Sequence, residues 1–207
     1  MNEPSVVRRD GCSLPTRMGV FELHAWLDPV TQREHASLSM GAMDQGSAVL
    51  ARVHSECLTG DALLSLRCDC GPQLQAAMRA IAAQGCGVLV YLRQEGRGIG
   101  LVNKVRAYAL QDTGVDTVDA NRLLGLPDDA RDYRVACEIL GALGVGKVRL
   151  LTNNPDKVSA LQRWGVDVSE RVPLHAGRNR HNERYLQAKR RRMGHLIDLG
   201  SLADAVS

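Results

Sequence analysis

The order of predicted elements in the second half of the chain constrains the fold more than any other feature. Leu74, Met78 and Ile81 fall on one face of a predicted helix over 71–85, and the apolar run 88–92 predicts a buried strand. The elements predicted after it are helices at about 101–112 and 132–143, a strand at Lys147–Leu151, a helix over 155–165 with Asn154 as its cap and Pro155 at its first position, and a strand at 166–168. This alternation implies βαβ units and a parallel portion of sheet.

Alternating apolar and polar residues predict strands in the first quarter of the chain. The segments 19–27, 36–43 and 47–53 show this pattern and are separated by turn-forming residues, which predicts an antiparallel meander. Residues 1–15 carry no such pattern and are expected to be loosely ordered. The predicted fold class is α/β, with a mixed sheet, an N-terminal antiparallel meander, C-terminal βαβ units and helices on the sheet faces.

Composition and charge restrict the classes of function. No run approaches the roughly 18 apolar residues of a membrane span, and the first residues lack the apolar core of a secretory signal. A cytoplasmic protein without membrane association is therefore expected. The formal net charge is +3, but residues 178–195 alone hold seven Lys or Arg and one acid. This segment predicts a solvated helix or a mobile end; nucleic-acid binding is the weaker alternative and is not expected, because no binding motif accompanies the charge.

Three of the six cysteines lie within fourteen residues: Cys57, Cys68 and Cys70. In a reducing compartment, clustered cysteines indicate metal binding or catalysis. Three thiolates can hold zinc at about 2.3 Å; a structural site closes with a fourth protein ligand, whereas a catalytic site keeps a position for water, whose pKa zinc lowers to about 7. The lack of an obvious fourth ligand favours the catalytic arrangement. A closed structural site and thiols without metal remain alternatives.

Three partial motifs resemble those of other nucleotide-binding proteins; the first is weakened and the other two are rejected. H-x-E at 54–56 is typical of zinc nucleobase deaminases, but their P-C-x-x-C element is replaced here by C-x-C after an arginine. The P-loop-like run 141–148 has Val148 where Ser or Thr must bind Mg²⁺, and it leads from a helix into a strand. The run 96–100 lacks the G-x-G-x-x-G spacing of a nicotinamide-type Rossmann site.

The loop 93–100 leaves the carboxyl end of a predicted strand, where open α/β sheets bind ligands. Glu95 can accept hydrogen bonds from the N1–H and exocyclic amine of guanine, and arginines at 93 and 97 can donate to phosphate oxygens. A solvated charged turn is the alternative. The loop 152–157 follows another strand in the same way. Further positive charge suited to a polyphosphate comes from Arg52, Lys104, Arg106, Arg131 and Lys157.

Four segments of the sequence resemble successive signature blocks of GTP cyclohydrolase II. They stand in the family's order at 52–71, 93–121, 131–133 and 150–158. The resemblance extends from about residue 50 to residue 178 and continues more weakly to the C-terminus. It implies a single catalytic GTP cyclohydrolase II-like domain over 16–177, followed by a basic C-terminal tail over 178–207, partly helical or mobile. It also implies a homodimer. Fewer than sixty residues precede the first block, so no second catalytic domain is expected.

The resemblance assigns roles to individual residues. It implies that Cys57, Cys68 and Cys70 bind one zinc ion per subunit, and that Mg²⁺ accompanies the triphosphate. Asp129 matches the family's proton acceptor, although Asp128 beside it leaves open which aspartate acts. Arg131 matches the proposed nucleophile on the α-phosphorus, and Tyr108 a tyrosine implicated in ring opening. The positions matching GTP contacts are Arg52, Val53, His54, Ser55, Glu56, Gln73, Glu95, Gly96, Arg97, Thr117, Thr152 and Lys157.

The implied reaction opens the imidazole ring of GTP, releases formate and pyrophosphate, and begins riboflavin biosynthesis. The implied product is 2,5-diamino-6-(5-phosphoribosylamino)pyrimidin-4-one. Zinc would generate the nucleophile, and Mg²⁺ with basic side chains would stabilise the leaving pyrophosphate. Three alternatives stay open: a zinc nucleobase deaminase, a GTP-binding regulator with a structural zinc, and a diverged paralogue that feeds another pathway or stops at the formylated intermediate.

Overall fold

A seven-stranded sheet carries most of the apolar core of the computed structural model, which describes residues 6–44 and 46–198. The strand order is β1-β2-β3-β5-β4-β6-β7. The strands are β1 (Val7–Thr16), β2 (Gly19–Asp28), β3 (Arg33–Met40), β4 (Val49–Ser55), β5 (Gly87–Leu92), β6 (Lys147–Leu151) and β7 (Asp167–Val172). The α/β class with a mixed sheet is therefore confirmed.

Antiparallel pairing joins β1, β2, β3 and β5, whereas β4, β6 and β7 pair in parallel. The prediction that 47–53 completes an N-terminal meander is wrong, because β4 lies between β5 and β6. The reason is burial: all residues of β4 from Val49 to His54 are buried, as expected for an interior strand and unlike the half-exposed strands of a meander.

Residues 7–15 are ordered in β1, so the expectation of a loosely ordered N-terminus is wrong for this part of the chain; residues 1–5 lie outside the described residues. Strand β1 is mostly exposed and pairs with β2 along its length. The sequence pattern missed it because its support comes from backbone hydrogen bonds with β2. An edge strand also tolerates residues such as Gly11 and Pro15 that interior strands exclude.

Two helices contribute to the apolar cluster of the sheet. Helix α5 (Arg134–Ala142) buries Ile139 and Leu140, and helix α6 (Pro155–Arg163) buries Leu161 in the same apolar cluster. The Asn154 side chain accepts a hydrogen bond from the Asp156 amide at 3.0 Å, so the predicted cap of α6 is confirmed. No helix in the described part of the chain is long and apolar enough to cross a membrane.

The chain divides into two compact units. The first consists of the described residues in Met1–His54, Gln75–Arg93 and Tyr133–Leu174, and the second of those in Ser55–Leu74, Gln94–Asp132 and His175–Ser207. Helix α2 (Cys70–Gln84) begins in the second unit and ends in the first. The other helices of the second unit are α1 (Leu58–Asp61), a 3-10 helix (Glu95–Gly98), α3 (Gly100–Asp112), α4 (Thr117–Leu123) and α7 (Glu183–Arg192).

The basic C-terminal segment belongs to the second unit through α7. Leu186 and Lys189 on this helix are buried, whereas Arg190, Arg191 and Arg192 are exposed.

The sequence pattern did not predict helix α4, which has seven residues and is capped by the Asp116 carboxylate. A helix of two turns is too short to produce a convincing apolar period.

Candidate active site

The three clustered cysteines converge in the second unit. Their Sγ atoms all lie within 4.8 Å of one another, and those of Cys57 and Cys68 are 3.6 Å apart. Tetrahedral zinc–thiolate geometry requires sulfur atoms separated by about 3.8 Å. Within residues 6–44 and 46–198, this is the only group of three or more Cys, His, Asp or Glu side chains arranged to bind a metal. The donor set and its spacing fit a zinc ion.

Short structural elements bring the cysteines together. Cys57 precedes α1, and Cys70 is the first residue of α2. Gly60 lies against the thiols: a Cβ atom at this position would be 2.7 Å from the Cys68 Sγ and 3.2 Å from the Cys57 Sγ. Only glycine therefore allows α1 to pack this closely on the thiols.

Lys104 reaches the cluster from α3. Its Nζ donates to the Cys57 Sγ at 3.1 Å and to the Glu95 Oε1 at 2.8 Å. Burial lowers the pKa of Lys104. The hydrogen bond to Glu95 and the charge of Cys57 together raise this pKa by more than burial lowers it, so the net shift of the pKa is upward. Lys104 is therefore a charged donor to a sulfur ligand candidate, rather than a free cation for a polyphosphate.

The Glu95 carboxylate is held by several donors within the second unit. Its Oε2 accepts from the Leu58 amide at 2.6 Å, and its Oε1 accepts from the Gly96 amide at 2.7 Å as well as from Lys104. This arrangement links the loop before α3 to the first turn of α1. The role of Glu95 in binding guanine stays a prediction; the observed contacts join its carboxylate to Lys104, which also donates to Cys57.

Lys189 lies beside the other two cysteines. Its Nζ donates to the Asp69 Oδ1 at 2.7 Å, and Asp69 lies between Cys68 and Cys70 in the sequence. The Gln73 Nε2 donates to the Asp69 Oδ2 at 2.6 Å. Lys189, Asp69 and Gln73 are all buried. The burial of Lys189 lowers its pKa, but the charge and hydrogen bond of Asp69, together with the charges of Tyr185 and Cys70, raise it by more, so the net shift of the pKa is upward.

The thiols influence one another's ionisation. Hydrogen bonds from Cys68 and Cys70 lower the pKa of Cys57, whereas the hydrogen bond with Cys57 raises the pKa of Cys68 and of Cys70. Three thiolates this close repel one another, and complete ionisation therefore requires a cation among them. The cluster consequently favours a divalent metal on electrostatic as well as geometric grounds.

Tyr108 lies on α3, one turn after Lys104. The Arg67 guanidinium carbon is 4.4 Å from the centroid of its ring, and the Lys104 Nζ is 5.7 Å from the same centroid. Burial raises the pKa of the Tyr108 hydroxyl, and nearby Lys104 only partly opposes this shift. Tyr108 is therefore a neutral phenol at physiological pH and can donate a proton in a hydrogen bond.

The two adjacent aspartates have different partners. Both oxygens of Asp129 accept from the Arg131 side chain, with the Arg131 Nε at 2.9 Å and 3.1 Å, and the Arg131 Nη2 also donates to Asp129. Asp128 instead pairs with Arg122 at 2.9 Å. Burial raises the pKa of Asp129, but Arg131 outweighs it and lowers the pKa. This geometry favours Asp129 over Asp128 as the residue that acts with Arg131.

Backbone contacts hold the Asp129 loop against the 3-10 helix. The Ala130 amide donates to the Arg97 carbonyl at 3.0 Å, and a Cβ at Gly98 would be 2.8 Å from the Ala130 carbonyl oxygen. Gly96 and Arg97 both have left-handed backbone conformations, with φ of 61° and 60°. A left-handed conformation is strained for arginine, and such strain is typical of functional loops.

Gln94, which the sequence analysis missed, bridges two predicted site segments. Its Nε2 donates to the Ser55 Oγ at 3.1 Å, and its Oε1 accepts from the Asp132 amide at 3.2 Å. The sequence signal for Gln94 was its place within the loop 93–100.

Two other predicted site residues lie elsewhere in the second unit. Glu56, next to Ser55, is half-buried. Thr117 begins α4 and lines a cavity of about 410 Å³ with residues of α7.

The first unit gathers a second set of predicted residues at the carboxyl ends of β4 and β6. The Arg52 Nη1 donates to the Leu151 carbonyl at 2.8 Å, and the Lys157 Nζ donates to the Val53 carbonyl at 2.7 Å. The Thr152 Oγ1 accepts from the Asn154 amide at 3.1 Å. The ring of His54 stacks on Tyr91 with centroids 5.5 Å apart. Parallel strand pairing explains why residues far apart in sequence meet here.

A sequence profile of the GTP cyclohydrolase II family matches residues 7–173. A protein named GTP cyclohydrolase-2 from Azotobacter vinelandii is 59% identical over 198 residues, covering 96% of this chain and 94% of that protein. One with the same name from Neisseria gonorrhoeae is 58% identical over 186 residues, covering 90% of this chain and 94% of that protein.

Among solved structures, a two-domain 3,4-dihydroxy-2-butanone 4-phosphate synthase from A. baumannii aligns with a TM-score of 0.43 and 22% identity, over 73% of this chain and 35% of that one. A likeness this weak supports no conclusion. The family profile, in contrast, matches most of this chain. Both relatives align with this chain over nearly their whole length. The chain therefore belongs to the GTP cyclohydrolase II family, and it is an enzyme of that family.

Proposed function

We propose that this enzyme hydrolyses GTP with zinc, opening the imidazole ring, releasing formate from carbon 8 and detaching pyrophosphate. The product is 2,5-diamino-6-(5-phosphoribosylamino)pyrimidin-4-one, the first intermediate of riboflavin biosynthesis. The observation that carries this proposal is the cluster of three cysteine Sγ atoms within 4.8 Å of one another, in a chain 59% identical to a GTP cyclohydrolase-2.

Cys57, Cys68 and Cys70 are the proposed ligands of the zinc ion. Soft thiolate donors select zinc over hard cations such as Mg²⁺, which we assign instead to the triphosphate. When bound, zinc supplies Lewis-acid activation of water for hydrolysis at carbon 8. The protein's own contribution is to hold the three sulfur atoms in place, and the hydrogen bond from Lys104 to Cys57 fixes one of them.

Asp129 and Arg131 are the proposed catalytic pair for release of pyrophosphate. The lowered pKa of Asp129 keeps it as a carboxylate at neutral pH, which is the form a proton acceptor needs. A protonated guanidinium cannot attack phosphorus. If Arg131 is the nucleophile, Asp129 must therefore remove a guanidinium proton as the bond to the α-phosphorus forms and the bond to pyrophosphate breaks. The side-chain hydrogen bonds between Asp129 and Arg131 support this role.

Tyr108 is proposed as a proton donor or hydrogen-bond donor during ring opening. Its neutral phenol can donate to a nitrogen that gains electron density when the imidazole ring opens. The remaining residues assigned by resemblance to GTP binding, including Arg52, Thr152 and Lys157, supply hydrogen-bond donors and positive charge. A homodimeric state and a cytoplasmic location stay predictions.

The decisive experiment incubates purified protein with GTP, Zn²⁺ and Mg²⁺ and quantifies every product. We expect formate and pyrophosphate in equal amounts, each equal to the GTP consumed. GTP that remains intact with metal-loaded protein contradicts the proposal, and retained GTP binding in that case favours a regulator. Ammonia in place of formate indicates a deaminase. Accumulation of a formylated pyrimidine indicates an enzyme that stops early.

A further inference from the structure

The C-terminal segment 177–195 contacts residues 68–72 at two places in the second unit. We call residues 68–72, which include Cys68 and Cys70, the metal-binding loop. The first contact is the buried ion pair between Lys189 and Asp69, with the Nζ and Oδ1 atoms 2.7 Å apart and side-chain exposures of 11% and 4%. The second is the approach of Gly177 to Pro72, where a Cβ on Gly177 would lie 2.5 Å from two atoms of the proline ring. Asp69 and Pro72 flank Cys70 on either side.

Local hydrogen bonds fix the geometry of this segment. Gly177 has a φ of 72°, and its carbonyl accepts from the Asn182 Nδ2 at 2.7 Å. Asn182 is fully buried, and its Oδ1 accepts from the Asn179 amide at 2.9 Å. Arg178 also pairs with Glu183 at 2.8 Å. These contacts fasten the turn before α7 to the start of the helix, from which Lys189 reaches Asp69.

The position of Asp69 makes its contacts significant for the cluster. Its two side-chain oxygens bind Lys189 and Gln73, and its carbonyl accepts from the Gln73 amide at 3.0 Å in the first turn of α2. These bonds restrict the backbone between Cys68 and Cys70, and hence the directions of both Sγ atoms. A buried carboxylate without its ammonium partner would be strongly unfavourable.

We propose that 177–195 is a clamp on the metal-binding loop, and that Lys189 is a positioning residue for Cys68 and Cys70. The segment thus contributes to the proposed metal site and is not only an appended basic tail. Lys189 acts through Asp69 and does not itself touch substrate. This inference rests on the proposed zinc site, but it does not require that GTP be the substrate.

The test measures zinc affinity by competition with a chromophoric chelator, in the absence of GTP, for Lys189→Met and Arg190→Met. The two substitutions remove the same charge from adjacent positions of α7. Arg190 is exposed and makes no hydrogen bond or ion pair with the residues that the structure describes. Because partners that orient metal ligands typically contribute 10–100-fold to affinity, we expect Lys189→Met to weaken zinc binding by about 10–100-fold and Arg190→Met by less than about 2-fold.

Two further measurements separate positioning from general stability. Measured at a temperature where circular dichroism shows both proteins folded, equal zinc affinities for Lys189→Met and Arg190→Met overturn the proposal, even if the melting temperature falls. Asp69→Asn provides the second variant, and we expect it to weaken zinc binding by about 10-fold or more. In the double variant the two effects should be less than multiplicative, because the unpaired buried charge is gone. Strictly multiplicative effects contradict a direct Lys189–Asp69 coupling.

Activity distinguishes this inference from the proposed function. With zinc saturating, Lys189→Met should lower kcat for GTP by about 10-fold or more and leave KM within about 2-fold, since the residue orients ligands and binds no substrate. If the wild-type protein does not turn over GTP but Lys189→Met still weakens zinc binding, the proposed function is wrong and the clamp is supported.

Discussion

Two buried lysines flank the cysteine cluster, and they act on it at different distances. Lys104 on α3 donates directly to the Cys57 Sγ at 3.1 Å, whereas Lys189 on α7 donates to the Asp69 carboxylate at 2.7 Å and reaches no sulfur by a hydrogen bond. Each is paired with an acid, half-buried Glu95 for Lys104 and buried Asp69 for Lys189. The first arrangement acts on the charge of a proposed ligand, and the second on the backbone between two proposed ligands.

The difference shows how a cluster carried by short structural elements is held in place. The elements that carry the cysteines are a four-residue helix, a loop and the first turn of α2, which provide little packing of their own. Charged side chains from two other helices supply the missing constraints. Buried ion pairs are weak evidence for stability but are well suited to specifying one geometry.

The largest effect should come from removing one of the three sulfur atoms of the cluster. Cys68→Ser should abolish zinc binding and lower the rate of formate release by at least about 1,000-fold, because a neutral hydroxyl is a poor zinc ligand. Cys12→Ser, which changes an exposed thiol in β1, is the matched control and should behave as wild type. Global unfolding of Cys68→Ser, seen by circular dichroism, would favour a structural metal over a catalytic one.

The next effect should come from Lys104. With zinc saturating, Lys104→Met should lower kcat for GTP by about 10–100-fold, because it removes a charge-assisted hydrogen bond to a proposed zinc ligand and leaves Glu95 without its ammonium partner. Arg163→Met, which removes an exposed charge at the end of α6, is the control and should stay within about 2-fold. A loss of kcat smaller than that of Lys189→Met would contradict the distinction between direct and indirect action.

Stability provides a second check on Lys104. Losing one member of a fully buried pair costs about 3–5 kcal/mol. Because Glu95 is half-buried and keeps its two amide donors, Lys104→Met should lower the free energy of unfolding by less, about 1–3 kcal/mol. Lys104→Gln retains a hydrogen-bond donor and should be less destabilised. Denaturant titrations of both variants would show this order, and equal stabilities would indicate that the buried pair contributes little.

The smallest effect should come from the exposed end of α7. Arg192 pairs with Asp116 and Asp119, each at 3.0 Å, and its side chain is 38% exposed. Exposed ion pairs contribute about 0–1 kcal/mol, so Arg192→Met should change the free energy of unfolding by less than about 1 kcal/mol. Zinc affinity should also stay close to that of wild type. A loss of zinc affinity as large as that of Lys189→Met would show that α7 acts as a whole and not through Lys189.

The sequence predicted the regular parts of the fold well. The strand Lys147–Leu151 and the cap at Asn154 are where their patterns placed them, because burial on one face imposes a period that the sequence displays. The position of β4 was not predictable from its own residues. Its neighbours β5 and β6 are distant in sequence, and local periodicity carries no information about which strands pair.

The site was predictable only in part, for a related reason. The cysteine cluster was visible because its three members lie within fourteen residues and share a distinctive chemistry. Lys189 is 120 positions from Asp69, and it stands in a run of four basic residues of which only this one is buried. Charge composition suggested a solvated or mobile segment, and only the packing of α7 distinguishes the buried lysine from its exposed neighbours.

The most direct test of the account titrates metal-depleted protein with Zn²⁺ and measures bound zinc and formate release from GTP together. We expect formate release to rise in proportion to bound zinc and to reach its maximum at one zinc ion per chain. Full activity before zinc is added, or intact GTP when one ion is bound per chain, would contradict the claim that the three cysteines form the centre of a GTP hydrolase.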